Sequence, residues 1–176
     1  MKMRDRDLDI LSFVKRHQGI TANQAARLYF NNNIHLAYRR LSMLCKNEFL
    51  KSEYHDYMNK KIYFESKIPS YHSIISADLY VALNGRLLEF KREARIGNYV
   101  VDVMAMIDNE IVAFEIDIFN MTSNKKLKAI KEYLEKYEQE YKVCVISRYN
   151  TRNESNCIHI PINNIYNAYD YIKKGG

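Results

Sequence analysis

Tryptophan is absent from this chain of 176 residues, and cysteine occurs three times, at Cys45, Cys144 and Cys157. An odd number without Cys-x-x-Cys spacing fits neither a disulfide framework nor a zinc site, so a reducing, cytoplasmic setting is expected. No apolar run approaches the roughly 18 residues that a membrane span requires. The N-terminal Met-Lys-Met-Arg-Asp-Arg-Asp also lacks the apolar core of a signal peptide. No membrane partner is therefore expected. Internal repeats and low-complexity tracts are missing too. So is the pairing of a tyrosine with a histidine triad, which argues against strand transfer through a phosphotyrosine. The 15 tyrosines are assigned to strand and helix packing rather than to base stacking.

The length fits one medium domain or two small ones, and charge divides the chain unevenly. Residues 1–66 carry 12 Lys and Arg against 7 Asp and Glu, whereas residues 67–176 carry 15 against 14. A polyanion should therefore bind the first third. There, Leu8, Leu11 and Val14, with Ile10 and Phe13 beside them, repeat at helical spacing over residues 5–17, with Gly19 as the stop. Thr21 is a good N-cap for a short helix over 22–29. Asn31-Asn32-Asn33 makes a turn, and Ala37, Leu41 and Leu44 mark the buried side of a third helix over 34–47. Strands at 51–54 and 61–64 flank a polar tip.

This order describes a winged helix-turn-helix, whose third helix enters the major groove of double-stranded DNA. Its outward positions are His35, Tyr38, Arg39, Ser42 and Lys46, with Arg40 at the edge. Arg39 and Arg40 suit guanine edges or phosphates, and Lys60 and Lys61 at the wing suit phosphates or a minor groove. The alternative is a module that mediates only protein contacts.

Residues 67–71, with Pro69, read as a linker between domains 1–66 and 72–176. A helix over 73–83 is broken by Asn84-Gly85, and a strand follows at 87–94. Two apolar strands, 99–107 and 111–118, are joined by Asp108-Asn109-Glu110. A long helix over 125–141 places Leu127, Ile130, Leu134 and Tyr137 on one face. After it come a strand at 142–147, a polar loop at 148–156, a strand at 157–160 and a last helix over 163–172. The order is α+β or α/β, with a mixed sheet. Asp102, Glu115 and Asp117 stand inside the apolar strands, where a carboxylate costs desolvation energy unless it binds something. Glu115 and Asp117 share a strand face, so pairing with Arg92, Arg95 or a helix lysine is the structural alternative to a ligand site.

This layout resembles the core hairpin of the PD-(D/E)XK nuclease fold. The resemblance implies Asp102 and Glu115 as Mg²⁺ ligands, Glu93 as an additional acid and position 117 as the lysine that helps activate water. Asp117 stands there instead. A lysine from the next helix, Lys125, Lys126, Lys128 or Lys131, is the other source of a cation. The expectation is accordingly a nuclease-like scaffold that no longer cuts, with no cofactor. Mg²⁺ enters only if Glu93, Asp102, Glu115 and Asp117 form an active site.

A wider likeness rests on Val101-Asp102, Phe114-Glu115-Ile116-Asp117, Thr122-Ser123 and Lys131-Glu132-Tyr133. In order and spacing these resemble the replication-relaxation family of plasmids, integrative elements and phages of Gram-positive bacteria. Val101 stands where that family often has proline, and Phe119-Asn120 replaces its usual Arg-Gly. The resemblance implies a setting, the replication or relaxation of a mobile element, more than a chemistry. The first reading within it is a sequence-specific DNA-binding accessory protein acting in replication, transfer or their regulation. The lysine position occupied by Asp117 argues against an enzyme. Its partners would be double-stranded DNA and a replication or transfer protein, bound as a monomer or a homodimer. The alternatives are a Mg²⁺-dependent nuclease and a transcriptional regulator with a dimerisation or sensing domain.

Overall fold

Residues 3–137, 140–148 and 157–175 are described in a computed structural model of the chain. They belong to two units, Met1–Ala77 and Asp78–Gly176. The fold is α+β, with a mixed five-stranded sheet in the second unit. Among the described residues no helix is long and apolar enough to cross a membrane.

In the first unit, helix α1 (Asp5–His17) buries Asp7, Ile10, Phe13, Val14 and His17. Leu8, part of the expected apolar repeat, is instead 58% exposed. The helix ends at Gln18, whose left-handed backbone (φ 71°) closes it, not at Gly19. Gly19 serves a close approach: a Cβ there would lie 2.8 Å from Pro69 Cγ and 3.1 Å from the Tyr63 carbonyl. The expected linker thus packs within this unit.

Strand β1 (Ile20–Thr21) precedes α2 (Ala22–Tyr29). Thr21 and Gln24 cap α2 reciprocally, each side chain bonding the other's backbone N–H. Helix α3 (Ile34–Lys46) is capped by Asn33, whose Oδ1 accepts from Leu36 N at 3.1 Å. Strands β2 (Lys51–His55) and β3 (Lys60–Phe64) form a hairpin, and β1 adds to β3, giving the antiparallel order β1-β3-β2.

Helix α4 (Tyr71–Leu83) crosses the boundary between the units. Its run from Ser73 to Leu79 is buried all round, as its scarcity of charge requires. In the first unit its Ile74 carbonyl accepts from Gln24 Nε2 at 3.3 Å. In the second, Asp78 accepts from the Tyr166 hydroxyl.

The five-stranded sheet has the order β4-β5-β6-β7-β8. Strands β4 (Leu87–Ile96), β5 (Tyr99–Ile107) and β6 (Glu110–Asp117) run antiparallel. A two-residue turn, Asp108-Asn109, joins the last two with both φ positive (48° and 69°), the geometry that matches strand twist. Strands β7 (Tyr141–Ser147) and β8 (Ile158–Pro161) add in parallel.

Helix α5 (Asn124–Leu134) makes the crossover from β6 to β7. Its Leu127, Ile130 and Leu134 pack on Ala113, Val143 and Val145, each fully buried aliphatic contributing about 1.5–3 kcal/mol. The helix is shorter than the expected 125–141. Tyr141 already pairs with Ile111 in the sheet, and Tyr137 is 50% exposed. The last expected helix is a 3-10 segment (Ile162–Asn167) followed by α6 (Ala168–Lys174). Apart from Arg148, the expected polar loop lies outside the described residues.

Candidate functional site

On α3, burial of Ala37, Leu41 and Leu44 fixes which side chains face out. His35, Tyr38, Arg39, Ser42 and Lys46 are all exposed and follow one another at helical spacing. Arg40 departs from the others. Its Nε and Nη2 donate as a fork to the two carboxylate oxygens of Asp7, which is wholly buried. That bond holds the Asp7 carboxyl below its ordinary pKa against the opposing effect of burial. Arg40 therefore ties α3 to α1.

Lys60 is exposed at the start of β3, while Lys61 is half-buried, its ammonium 5.8 Å from the Tyr63 ring centroid. The hairpin also presents Tyr54 and Tyr57, 65% and 67% exposed. Sequence reasoning assigned the tyrosines to packing. The signal available for these two was their place beside a polar tip.

In the second unit, the β5–β6 ladder ends at Val103 and Phe114. Just beyond it, Asp102 Oδ2 accepts from Ile116 N at 2.7 Å. The β4–β5 pairs Arg92–Val103 and Ala94–Val101 set Glu93 across from Asp102. Glu93 is exposed and has a positive φ of 50°. Glu115 and Asp117 are each only 2% exposed.

Asp117 Oδ1 accepts from both Thr122 N (3.0 Å) and Thr122 Oγ1 (2.7 Å). Ser123 then caps α5, and the first turn brings Lys126 Nζ to 2.8 Å from Glu115 Oε2. Glu115 Oε2 also lies 3.2 Å from Thr122 Oγ1. Its other oxygen, Oε1, is buried without a hydrogen-bond partner among the described residues. Burial pushes the Glu115 pKa up to about 7; the Lys126 hydrogen bond opposes this and the Asp102 charge adds to it. Of the four candidate lysines, Lys126 is the one in contact with the acids. Lys128 pairs with Glu132 instead.

Two further polar groups share this end of the sheet. Ser147 stands beside Asp117 in register, and its Oγ lies 2.7 Å from His159 Nε2. Neither was legible as a site residue, because each lies on a strand far along the chain. Among the described residues no three His, Cys, Asp or Glu side chains gather as a metal cage. The Asp102–Glu115 pair, with the unpartnered Oε1, still fits Mg²⁺, which takes one or two carboxylates and keeps water.

The chain matches no protein-family model and no curated protein. Among solved structures, that of protein VC1899 from Vibrio cholerae is similar over 94% of this chain, at 10% identity and a TM-score of 0.43. This chain spans about half of that protein's length, 48%.

Proposed function

We propose that this chain is a sequence-specific double-stranded DNA-binding protein, its first unit a winged helix-turn-helix that seats α3 in the major groove. The observation that carries the reading is the exposed row His35, Tyr38, Arg39, Ser42 and Lys46, backed by the buried Ala37, Leu41 and Leu44. At 1.5 Å per residue the row is about 16 Å long, enough to follow several base pairs along one groove. Arg39 supplies a fork for guanine edges or phosphate, while Lys46 and Lys60 supply phosphate contacts. The basic surplus of residues 1–66 supports the same partner.

The resemblance to the replication-relaxation family supplies the setting. The protein acts as an accessory factor at a replication or transfer origin, or a promoter, of a mobile element. Its second unit docks a replication or transfer protein. The test is footprinting and fluorescence anisotropy on DNA from the encoding element. Arg39→Ala should weaken binding by about 1–3 kcal/mol if it reads a base. Unchanged affinity removes the assignment.

One observation favours a second reading, a metal-dependent nuclease. The Lys126–Glu115 contact returns to the acidic centre the cation that Asp117 removes from the strand. Asp102 and Glu115 would hold Mg²⁺, which supplies Lewis-acid stabilisation of a phosphate and an activated water. Lys126 is positioned to donate a hydrogen bond to a phosphate oxygen, and Asp117 and Thr122 hold the helix that carries it. Supercoiled and linear DNA incubated with Mg²⁺ or Mn²⁺ should then be cut, and Glu115→Ala and Lys126→Ala should abolish cutting while DNA binding persists. Intact DNA under both metals leaves the accessory reading alone.

A further inference from the structure

A cleft of about 330 Å³ in the first unit is lined by Arg4, Arg6, Asp7, Phe30, Arg39 and Arg40 among others. Asp7 is committed to the Arg40 fork and to the Arg4 backbone N–H, 2.7 Å away. Its charge is met at hydrogen-bond distance by the Arg40 guanidinium, with Arg4 adding only a lesser electrostatic attraction. Arg4, Arg6 and Arg39 remain exposed, and none of the three makes an ion pair with another described residue. The Arg6 guanidinium lies 4.9 Å from the Phe30 ring centroid, a stacking contact that orients its donors. Asp5 and Asp9, on the same helix, are exposed and do not line the cleft.

We propose that this arginine cleft is a phosphate clamp that grips the DNA backbone beside the groove read by α3. The inference rests on the DNA-binding reading above. Three guanidinium forks facing one cleft match phosphate oxygens in charge and in bidentate geometry. Arg39 belongs both to the exposed row of α3 and to the cleft wall, so a strand lying along that row continues over the clamp. A cleft continuous with such a row fits a phosphodiester chain better than a free anion.

The experiment uses the full chain, the footprinted site and an unrelated 20-bp duplex, with log K measured against log salt concentration. The double variant Arg4→Ala with Arg6→Ala should flatten the slope by about 0.9 for each phosphate that is no longer neutralised. Affinity should fall by a similar factor on both duplexes. Arg4→Lys with Arg6→Lys should keep most of the slope, and the melting temperature of both variants should match the intact chain. An unchanged slope overturns the clamp, as does a loss confined to the footprinted site. Inorganic phosphate that binds the intact chain but not the alanine variant, with no change in the DNA slope, also overturns it in favour of a free-anion site. If the intact chain binds neither duplex, the DNA-binding reading fails and the clamp falls with it. If Arg39→Ala weakens binding while the Arg4 and Arg6 variants keep the slope, the clamp alone fails.

Discussion

Replacing Glu115 by glutamine isolates the electrostatic strain of the acidic centre. Burial raises the Glu115 pKa from 4.5 to about 7. Between those values the native state keeps a proton that the unfolded chain has lost. Stability from this group is therefore fully present at low pH, falls as pH rises from about 4.5 towards 7, and is level above. At about 1.4 kcal/mol per pH unit, the loss amounts to ~3 kcal/mol. Glu115→Gln is neutral throughout and should not show it. Asp7, Asp108 and Glu110, whose pKa values are lowered, give the opposite slope at more acidic pH, but both proteins share them. Urea unfolding from pH 4 to 8 measures the comparison. Stability of the intact chain minus that of the variant should fall by ~3 kcal/mol over the range. A difference that stays flat, or that rises with pH, would refute the reasoning. It would show that Lys126 holds the Glu115 pKa at the ordinary carboxylate value or, for a rise, below it.

Two other substitutions test the first unit. Arg40→Ala leaves the buried Asp7 carboxylate without its fork and should cost about 3–5 kcal/mol in urea unfolding. Arg39→Ala, at an exposed position, should stay within about 0.5 kcal/mol; equal effects for the two would sink the distinction between them. Gly19→Ala places a methyl group 2.8 Å from Pro69 Cγ and should cost about 1–3 kcal/mol by overpacking. Unchanged stability would show that Pro69 moves aside freely.

Most elements were legible because local signals agreed. Thr21 caps α2, the Asn31–Asn33 turn precedes α3, and the apolar runs 99–107 and 111–118 bracket a polar turn, which takes two positive φ values. The misses share a physical cause. The expected end of α5 lies past its true one because Tyr137 extends the apolar pattern by one turn, although it lies beyond the helix and is half exposed. Strand β1 is two residues long and exists because β3 is there to pair with it. Arg40 could not be told from Arg39 by helical position alone, since its partner Asp7 lies 33 residues away. A buried aspartate in an otherwise apolar stripe of α1 was the one available hint of that pair.

Asp117 shows how far a single position can mislead. In the strand pattern it occupies the place of a lysine, which suggests that the acidic centre has lost its cation. Instead it binds Thr122 through that residue's N–H and hydroxyl, and the helix beginning two residues later delivers Lys126 to Glu115. The cation comes from 11 residues along the chain rather than two. Asp117→Lys should therefore not act as a repair. It removes the acceptor for Thr122 and places a second ammonium near Lys126, with Glu115 as the shared carboxylate. A buried charge without its own partner costs about 3–5 kcal/mol, so a loss of that order is expected in urea unfolding. Asp117→Asn keeps a side-chain oxygen for Thr122 and should lose clearly less. If Asp117→Lys proves as stable as the intact chain, the Thr122 bonds are incidental, and the strand itself tolerates the lysine of the nuclease pattern.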